Sequence, residues 1–249
     1  MLTPKMRQAM IDEIHEKSRK LMLSRKVVEL CEQEATPKQA EFILYVLNEE
    51  LESREVNRQK RLISRAGFPT YKTFSGYEYH CVKLPPALPK DHLETCDFVK
   101  EKKNLVLYGP VGIGKTHMAI ACGVKACEMG YRTKFYTATE LVLKLSDARR
   151  VGTLERLIRE LQALDLLIID EWGYVPVDKE GSQLLFRVVS DSYESKSLIL
   201  TTNIEFSKWG GIFTDDQMAA AMIDRLVHHG HLLLFEGQSY RMKHALMRQ

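Results

Sequence analysis

The chain has 249 residues, a net charge of +3, 45% hydrophobic residues and five cysteines. That length suffices for one full α/β core and a smaller module, and the absence of any run of about 18 apolar residues excludes a membrane span. The charged start lacks an apolar h-region, so no signal peptide is expected, and sparse cysteines without a CxxC pair suit reduced thiols in a cytoplasmic protein. The mild basicity permits a polyanionic partner without requiring one.

Residues 1–66 lack glycine and read as a small all-helical N-terminal domain. A first helix is expected over roughly Pro4 to Cys31, with Ile11, Ile14, Leu21 and Val28 as its apolar face. Thr36-Pro37-Lys38-Gln39 then opens a second helix, with Thr36 as N-cap, Pro37 at the first helical position and Gln39 completing a capping box. It carries Phe42, Ile43, Val46, Leu47 and Leu51 on one side and ends near Ala66, before Gly67 and Pro69. So few helices bury little core alone, and the module is expected to pack on itself, on the second domain or on a partner. Its tail, Arg54 to Arg65, is basic and reads either as a solvated face or as an arm contacting phosphates or another subunit. Residues 67–100, with Pro69, Pro85, Pro86 and Pro89, read as an irregular linker at the start of the second domain (67–249), partly framing its pocket.

From residue 101 onward strands and helices alternate. Strands are expected at 104–108, 133–137, 166–170, 197–201 and 231–235, and helices at 115–129, 139–148, 153–164, 180–194 and 215–228. This pattern predicts an α/β fold, a five-stranded parallel sheet flanked by helices. Between the first of these strands and its helix lies Gly109-Pro110-Val111-Gly112-Ile113-Gly114-Lys115-Thr116, a full match to G-x-x-x-x-G-K-[ST]. The glycines let several backbone N–H groups face one anion at a helix N-terminus. Lys115 is placed to reach β- and γ-phosphates and the Thr116 hydroxyl to hold Mg²⁺. These eight residues and His117 form the expected nucleotide-binding set.

The apolar strand Leu166 to Ile169 ends in Asp170-Glu171. It should lie inside the sheet, beside the strand that feeds the loop, with its C-terminal end opening toward the Mg²⁺ site. Asp170 is then placed to hold Mg²⁺ through water, and Glu171 to orient and polarise the attacking water. The chain has no Asn-Lys-x-Asp base reader, which argues against a GTPase, and hydrolysis by water makes better use of an Asp-Glu pair than a small-molecule kinase does. Asn203, with Thr202 second, is placed to hydrogen-bond the γ-phosphate and the water, the alternative being a helix cap or an Asx turn. Arg225 offers a guanidinium for charge on a transferred phosphoryl in a neighbouring subunit, and Arg241 one within its own subunit; a surface ion pair is the other reading of each. Lys144, Arg149, Arg150, Arg156 and Arg159 read as an exposed helical face or as phosphate contacts. His80-Cys81 and His92 with Cys96 match no zinc spacing well, and His228, His229 and His231 read as surface or helix-end residues.

In this order, GPVGIGKT, LLIIDE, LILTTN and DRL resemble the AAA+ ATPases. More narrowly, the chain resembles transposition helper ATPases of the IstB type, related to bacterial helicase loaders of the DnaC type. The likeness covers nearly the whole chain, including the Phe68-Pro69 junction and the segment Asp224 to His229. It implies an AAA+ P-loop fold, with Lys115 and Thr116 in the first nucleotide motif, Asp170 and Glu171 in the second and Asn203 at the sensor position. It implies a trans-acting arginine finger at Arg225 and a second sensor at Arg241, although no helical lid is apparent. The activity implied is Mg²⁺-dependent ATP hydrolysis with ATP-dependent self-assembly, largely sequence-independent binding and remodelling of duplex DNA, and recruitment and activation of a cognate transposase. A helicase loader acting on single-stranded DNA and a helicase is the alternative. A monomeric metabolic kinase is a third, for which no second substrate site is legible.

Overall fold

The computed structural model describes residues 4–174, 178–213 and 215–243. The chain forms two compact units, Met1–Arg61 and Leu62–Gln249. Among the described residues no helix is long and apolar enough to cross a membrane.

The first unit holds α1 (Pro4–Lys20), α2 (Lys26–Gln33) and most of α3 (Pro37–Ala66). The single helix expected over Pro4 to Cys31 is broken in two. Met22 takes the left-handed conformation, φ 58, and is 91% exposed. The Leu23 amide donates to the Ser18 carbonyl at 2.9 Å and the Met22 amide to Arg19 at 3.1 Å. These paired bonds satisfy carbonyls that a helix end otherwise leaves orphaned. The physical reason for the break is burial: one straight rod cannot bring Val28 and Cys31 back to Met10, Ile11 and Ile14, and these residues share a core with Ala40 and Leu47 of α3. The capping box that opens α3 is formed, with the Thr36 amide donating to Gln39 Oε1 at 2.8 Å and the Gln39 amide to Thr36 Oγ1 at 3.4 Å. Of the apolar side expected on α3, Leu47 is buried and Ile43 and Leu51 pack at its margin, whereas Phe42 and Val46 are exposed. Two short helices cover only one stripe of a longer one.

The second unit is built on one sheet. Its strands are β1 (Val82–Lys83), β2 (Asn104–Tyr108), β3 (Thr133–Thr137), β4 (Leu166–Asp170), β5 (Ser197–Thr202) and β6 (Gly230–Phe235), in the spatial order β1-β6-β2-β5-β4-β3. The five expected strands run parallel, and the sheet gains a sixth, since β1 pairs antiparallel to the edge of β6 through Val82↔Phe235. β5 lies between β2 and β4, which corrects the expectation that the carboxylate strand flanks the loop strand directly. Residues 67–100 are more ordered than a linker: besides β1 they form α4 (Lys90–Glu94) and α5 (Asp97–Lys100), with Leu93, Cys96 and Phe98 fully buried. The long helices are α6 (Lys115–Glu128), α7 (Ala138–Arg150), α8 (Leu154–Gln162), α9 (Lys179–Ser192) and α11 (Asp216–His228), with the short α10 (Trp209–Phe213) before the last and α12 (Tyr240–Lys243) after β6. Thr137 caps α7, its hydroxyl accepting from the Glu140 amide at 3.2 Å while Glu140 accepts from the Thr137 amide at 2.9 Å.

Two apolar cores result, one on each face of the sheet. One gathers Leu141, Leu145, Ile169, Trp172, Leu185, Leu200, Trp209 and Met222. The other gathers Phe98, Leu105, Leu107, Met118, Ile120, Ile168, Ile199 and Leu233. Alternate residues of β2, β4 and β5 point into each, which is why these strands read as unbroken apolar runs. Lys196, just before β5, is also buried, and its ammonium donates to the Leu161 carbonyl in α8.

Candidate functional site

The sheet places its functional groups at the C-terminal ends of β2, β4 and β5. At the end of β2 the backbone turns sharply at Gly109, φ 153. A Cβ there would lie 2.2 Å from the Phe235 carbonyl oxygen of β6, so any side chain would displace the loop from the sheet. Gly114, φ 105, is the N-cap of α6 in the left-handed region that glycine enters without strain. Lys115 Nζ donates to the carbonyls of Gly109 and Pro110, each at 2.6 Å. Burial pushes its ammonium down to about 8, with Asp170 opposing the shift and Arg241 adding to it.

Thr116 Oγ1 donates to Asp170 Oδ1 at 3.0 Å, so the start of α6 and the end of β4 meet. Asp170 is buried at 4% exposure. A hydroxyl and a carboxylate are hard oxygen donors of the kind Mg²⁺ takes, and the pair fits that ion. Glu171 follows with an exposed side chain and a left-handed backbone, φ 58. Its amide donates to Thr201 Oγ1 at 3.1 Å, and Thr201 Oγ1 donates to Asp170 Oδ1. Thr202 is committed elsewhere: its hydroxyl donates to the Trp172 carbonyl at 2.8 Å and accepts the Ile204 amide at 3.1 Å. Asn203 is exposed at the end of β5.

A cavity of about 710 Å³ runs along the loop, lined by Gly112, Ile113, Gly114, Lys115, Thr116 and His117 and by Arg241. Residues from the stretch 70–81 line it as well, including Lys72, Tyr77, His80 and Cys81. Tyr77 was not singled out by sequence. Its hydroxyl donates to the Gly114 carbonyl at 3.3 Å, and its ring stands edge-on to His117 and Tyr79, with centroids 5.0 and 5.1 Å away. Burial pushes the Tyr77 hydroxyl well above the usual phenol range, which keeps it a neutral donor. His117 Nε2 lies 2.9 Å from the Thr73 carbonyl. Beyond β6, the Tyr240 amide donates to the Gly112 carbonyl at 3.0 Å.

Arg225 does not line this cavity. Its guanidinium donates to the Ala221 carbonyl at 2.9 Å and lies 5.1 Å from the Phe186 ring centroid. The basic segment is partly self-neutralised: Arg149 pairs with Glu180 at 3.2 Å, Arg150 with Asp147 at 2.9 Å and Arg156 with Glu160 at 3.5 Å. Lys144 instead lies over the Tyr136 ring at 5.3 Å. Among the described residues no group of three or more His, Cys, Asp or Glu side chains is arranged to hold a metal. Cys96 Sγ, one of the thiols considered, is directed at the Cys122 carbonyl in the core.

Comparison with known proteins identifies the family. The family described as IstB-like ATP binding protein matches residues 6–247. A protein of Pseudomonas aeruginosa named for ATP binding in insertion sequence IS21 is 36% identical over 206 residues, covering 82% of this chain and 77% of that protein. One from Geobacillus stearothermophilus, named for ATP binding in insertion sequence IS5376, is 35% identical, covering 84% of each chain. Among solved structures, the crystal structure of the DnaC helicase loader superimposes with a TM-score of 0.53 at 19% identity, covering 66% of this chain and 96% of that one, and so shares the fold. With a six-stranded, mostly parallel sheet, a glycine-rich loop closed onto an acidic strand end, and a family match spanning both units, this chain belongs to the IstB-like ATP binding protein family.

Proposed function

We propose that this protein is a Mg²⁺-dependent ATPase that assembles on duplex DNA and, with ATP bound, recruits and activates a transposase. The observation that carries the hydrolytic part is the meeting of Thr116 with Asp170 at 3.0 Å, with Glu171 next in the chain and exposed at the same sheet end. Loop amides and Lys115 bind the β- and γ-phosphates. Thr116 and Asp170 would hold Mg²⁺, which would supply neutralisation of the phosphate charge. The Glu171 carboxylate orients a water for in-line attack and accepts its proton, and Asn203 hydrogen-bonds the same water or the γ-phosphate.

Arg225 makes no ion pair among the described residues, its guanidinium donating to the Ala221 carbonyl at 2.9 Å. That uncompensated charge supports a role in a neighbouring subunit's site, where a guanidinium neutralises charge on the transferred phosphoryl. Arg241 lines the cavity of its own chain and serves the phosphates there. The first unit, with Phe42, Tyr45 and Val46 exposed on α3, supplies contacts to other subunits, DNA or the transposase. The transposition role is supported by relatives named for insertion sequences.

Turnover with and without subunit mixing tests this reading. Lys115→Ala should abolish hydrolysis. Arg225→Ala should be inactive alone and regain activity when mixed with Glu171→Gln, since one subunit then completes the other's site. Arg225→Ala that hydrolyses ATP normally by itself removes the shared site. Binding to duplex and single-stranded DNA of one length, compared in the presence of ATP, separates the two DNA roles: a clear preference for single strands replaces the transposition role with helicase loading.

A further inference from the structure

Thr201 bonds to Asp170 and to the amides of the two residues that follow Asp170 in the chain. Its hydroxyl donates to Asp170 Oδ1, the oxygen that also accepts from Thr116 Oγ1 at 3.0 Å, and accepts the Glu171 amide at 3.1 Å. Its carbonyl accepts the Trp172 amide at 2.8 Å. Thr201 is 2% exposed, and these bonds use its one hydroxyl proton. It therefore has no means of donating to a nucleotide and acts through its neighbours.

Two of those neighbours need holding. A carboxylate turns readily about its terminal torsion, which is broad and roughly two-fold. With both hydroxyls on Oδ1, Asp170 presents Oδ2 free of these bonds. Glu171 occupies the left-handed region, φ 58, which is strained for a non-glycine residue and persists only where its surroundings fix it. The Thr201 hydroxyl and carbonyl take the amides of both Glu171 and Trp172, and so fix that turn.

We infer that Thr201 is a positioning residue of the ATPase site, setting the orientation of the Asp170 carboxylate toward the cation and the point at which Glu171 leaves the strand. This rests on the ATPase reading above. Asn203 and Thr202 at the end of the same strand do not share the role, because Thr202 bonds to the Trp172 carbonyl and Asn203 is exposed.

The test compares Thr201→Val, which keeps the shape and removes the hydroxyl, with Thr201→Ser, which keeps the hydroxyl. For Thr201→Val, kcat should fall at least about tenfold while KM and Mg²⁺-free affinity for a fluorescent ATP analogue stay within about twofold. Thr201→Ser should recover to within about threefold of wild type. Two readouts are independent of turnover. In Thr201→Val the Glu171 amide should exchange with solvent about tenfold faster, whereas the Trp172 amide, bonded to the backbone carbonyl, should be unchanged. The Mg²⁺ concentration giving half-maximal binding of the analogue should rise severalfold. Wild-type exchange at Glu171 together with wild-type Mg²⁺ dependence overturns the inference, as does full turnover by Thr201→Val or a failure of Thr201→Ser to restore it. A wild-type protein that binds ATP without hydrolysing it sinks the ATPase reading instead, and the exchange and Mg²⁺ measurements still decide the place of Thr201.

Discussion

Lys196 carries a charge into the interior at the bottom of β5. Burial pushes its ammonium down to about 8, against 10.5 for an ordinary lysine, while Asp191 and Asp165 oppose the shift. Between those values the unfolded chain holds the extra proton and the folded chain does not, so stability rises as pH rises from about 8 toward 10.5. The gain is on the order of 2–3 kcal/mol, from a shift of this size. Lys196→Met should remove that rise, and urea midpoints of both proteins at pH 7.5 and pH 10 check it: parallel midpoints in the two proteins leave Lys196 without the assigned effect. At this scale the site was partly legible. Lys115, Thr116, Asp170 and Glu171 announce themselves because the loop and the acidic strand end are contiguous strings of residues. Thr201 and Tyr77 do not. A threonine in Leu-Ile-Leu-Thr-Thr reads as a β-branched strand former, and nothing local says that its hydroxyl meets a carboxylate 31 positions earlier. Tyr77 likewise reaches a carbonyl 37 positions away.

Elements in the second unit were readable because each strand is a short apolar run between turn signals, and a parallel sheet buried on both faces demands such runs. β1 was not, since two residues beside Pro85 and Pro86 carry no period, and only pairing with β6 makes them a strand. The break between α1 and α2 was also hidden, because Leu21-Met22-Leu23-Ser24-Arg25 contains neither glycine nor proline. Met22 accepts a conformation that glycine enters freely, and its side chain is solvent-exposed. Met22→Gly should therefore stabilise the first unit by about 1 kcal/mol, the left-handed cost relieved less the added chain entropy. Protection of α1 and α2 amides in hydrogen exchange measures it, and reduced protection would mean that the methionine side chain contributes more than the backbone loses.

For the whole molecule, the proposed binding to duplex DNA would depend on how charge is arranged. The basic segment on α7 and α8 carries acids between its cations in sequence, and in the structure Arg149, Arg150 and Arg156 each face an acid, whereas Lys144 faces an aromatic ring. Phosphate contacts release counterions, at about 0.9 in the slope of log affinity against log salt for each contact. Lys144→Ala should accordingly weaken duplex binding and lower that slope by about 1, whereas Arg150→Ala should change it little. Titrations of one duplex at several salt concentrations distinguish the two, and an equal loss in both variants would mean that the ion pairs open on DNA.

The bond from the Tyr240 amide to the Gly112 carbonyl has a reach beyond its own strength. It splices the phosphate cradle to the backbone that carries Arg241, which lines the same cavity as residues from the stretch 70–81. A shift of the Gly112 carbonyl on ligand binding would be felt first at this bond. Nucleotide binding should therefore change hydrogen exchange at the Tyr240 amide, and an unchanged rate with nucleotide bound would show that the two stretches move independently.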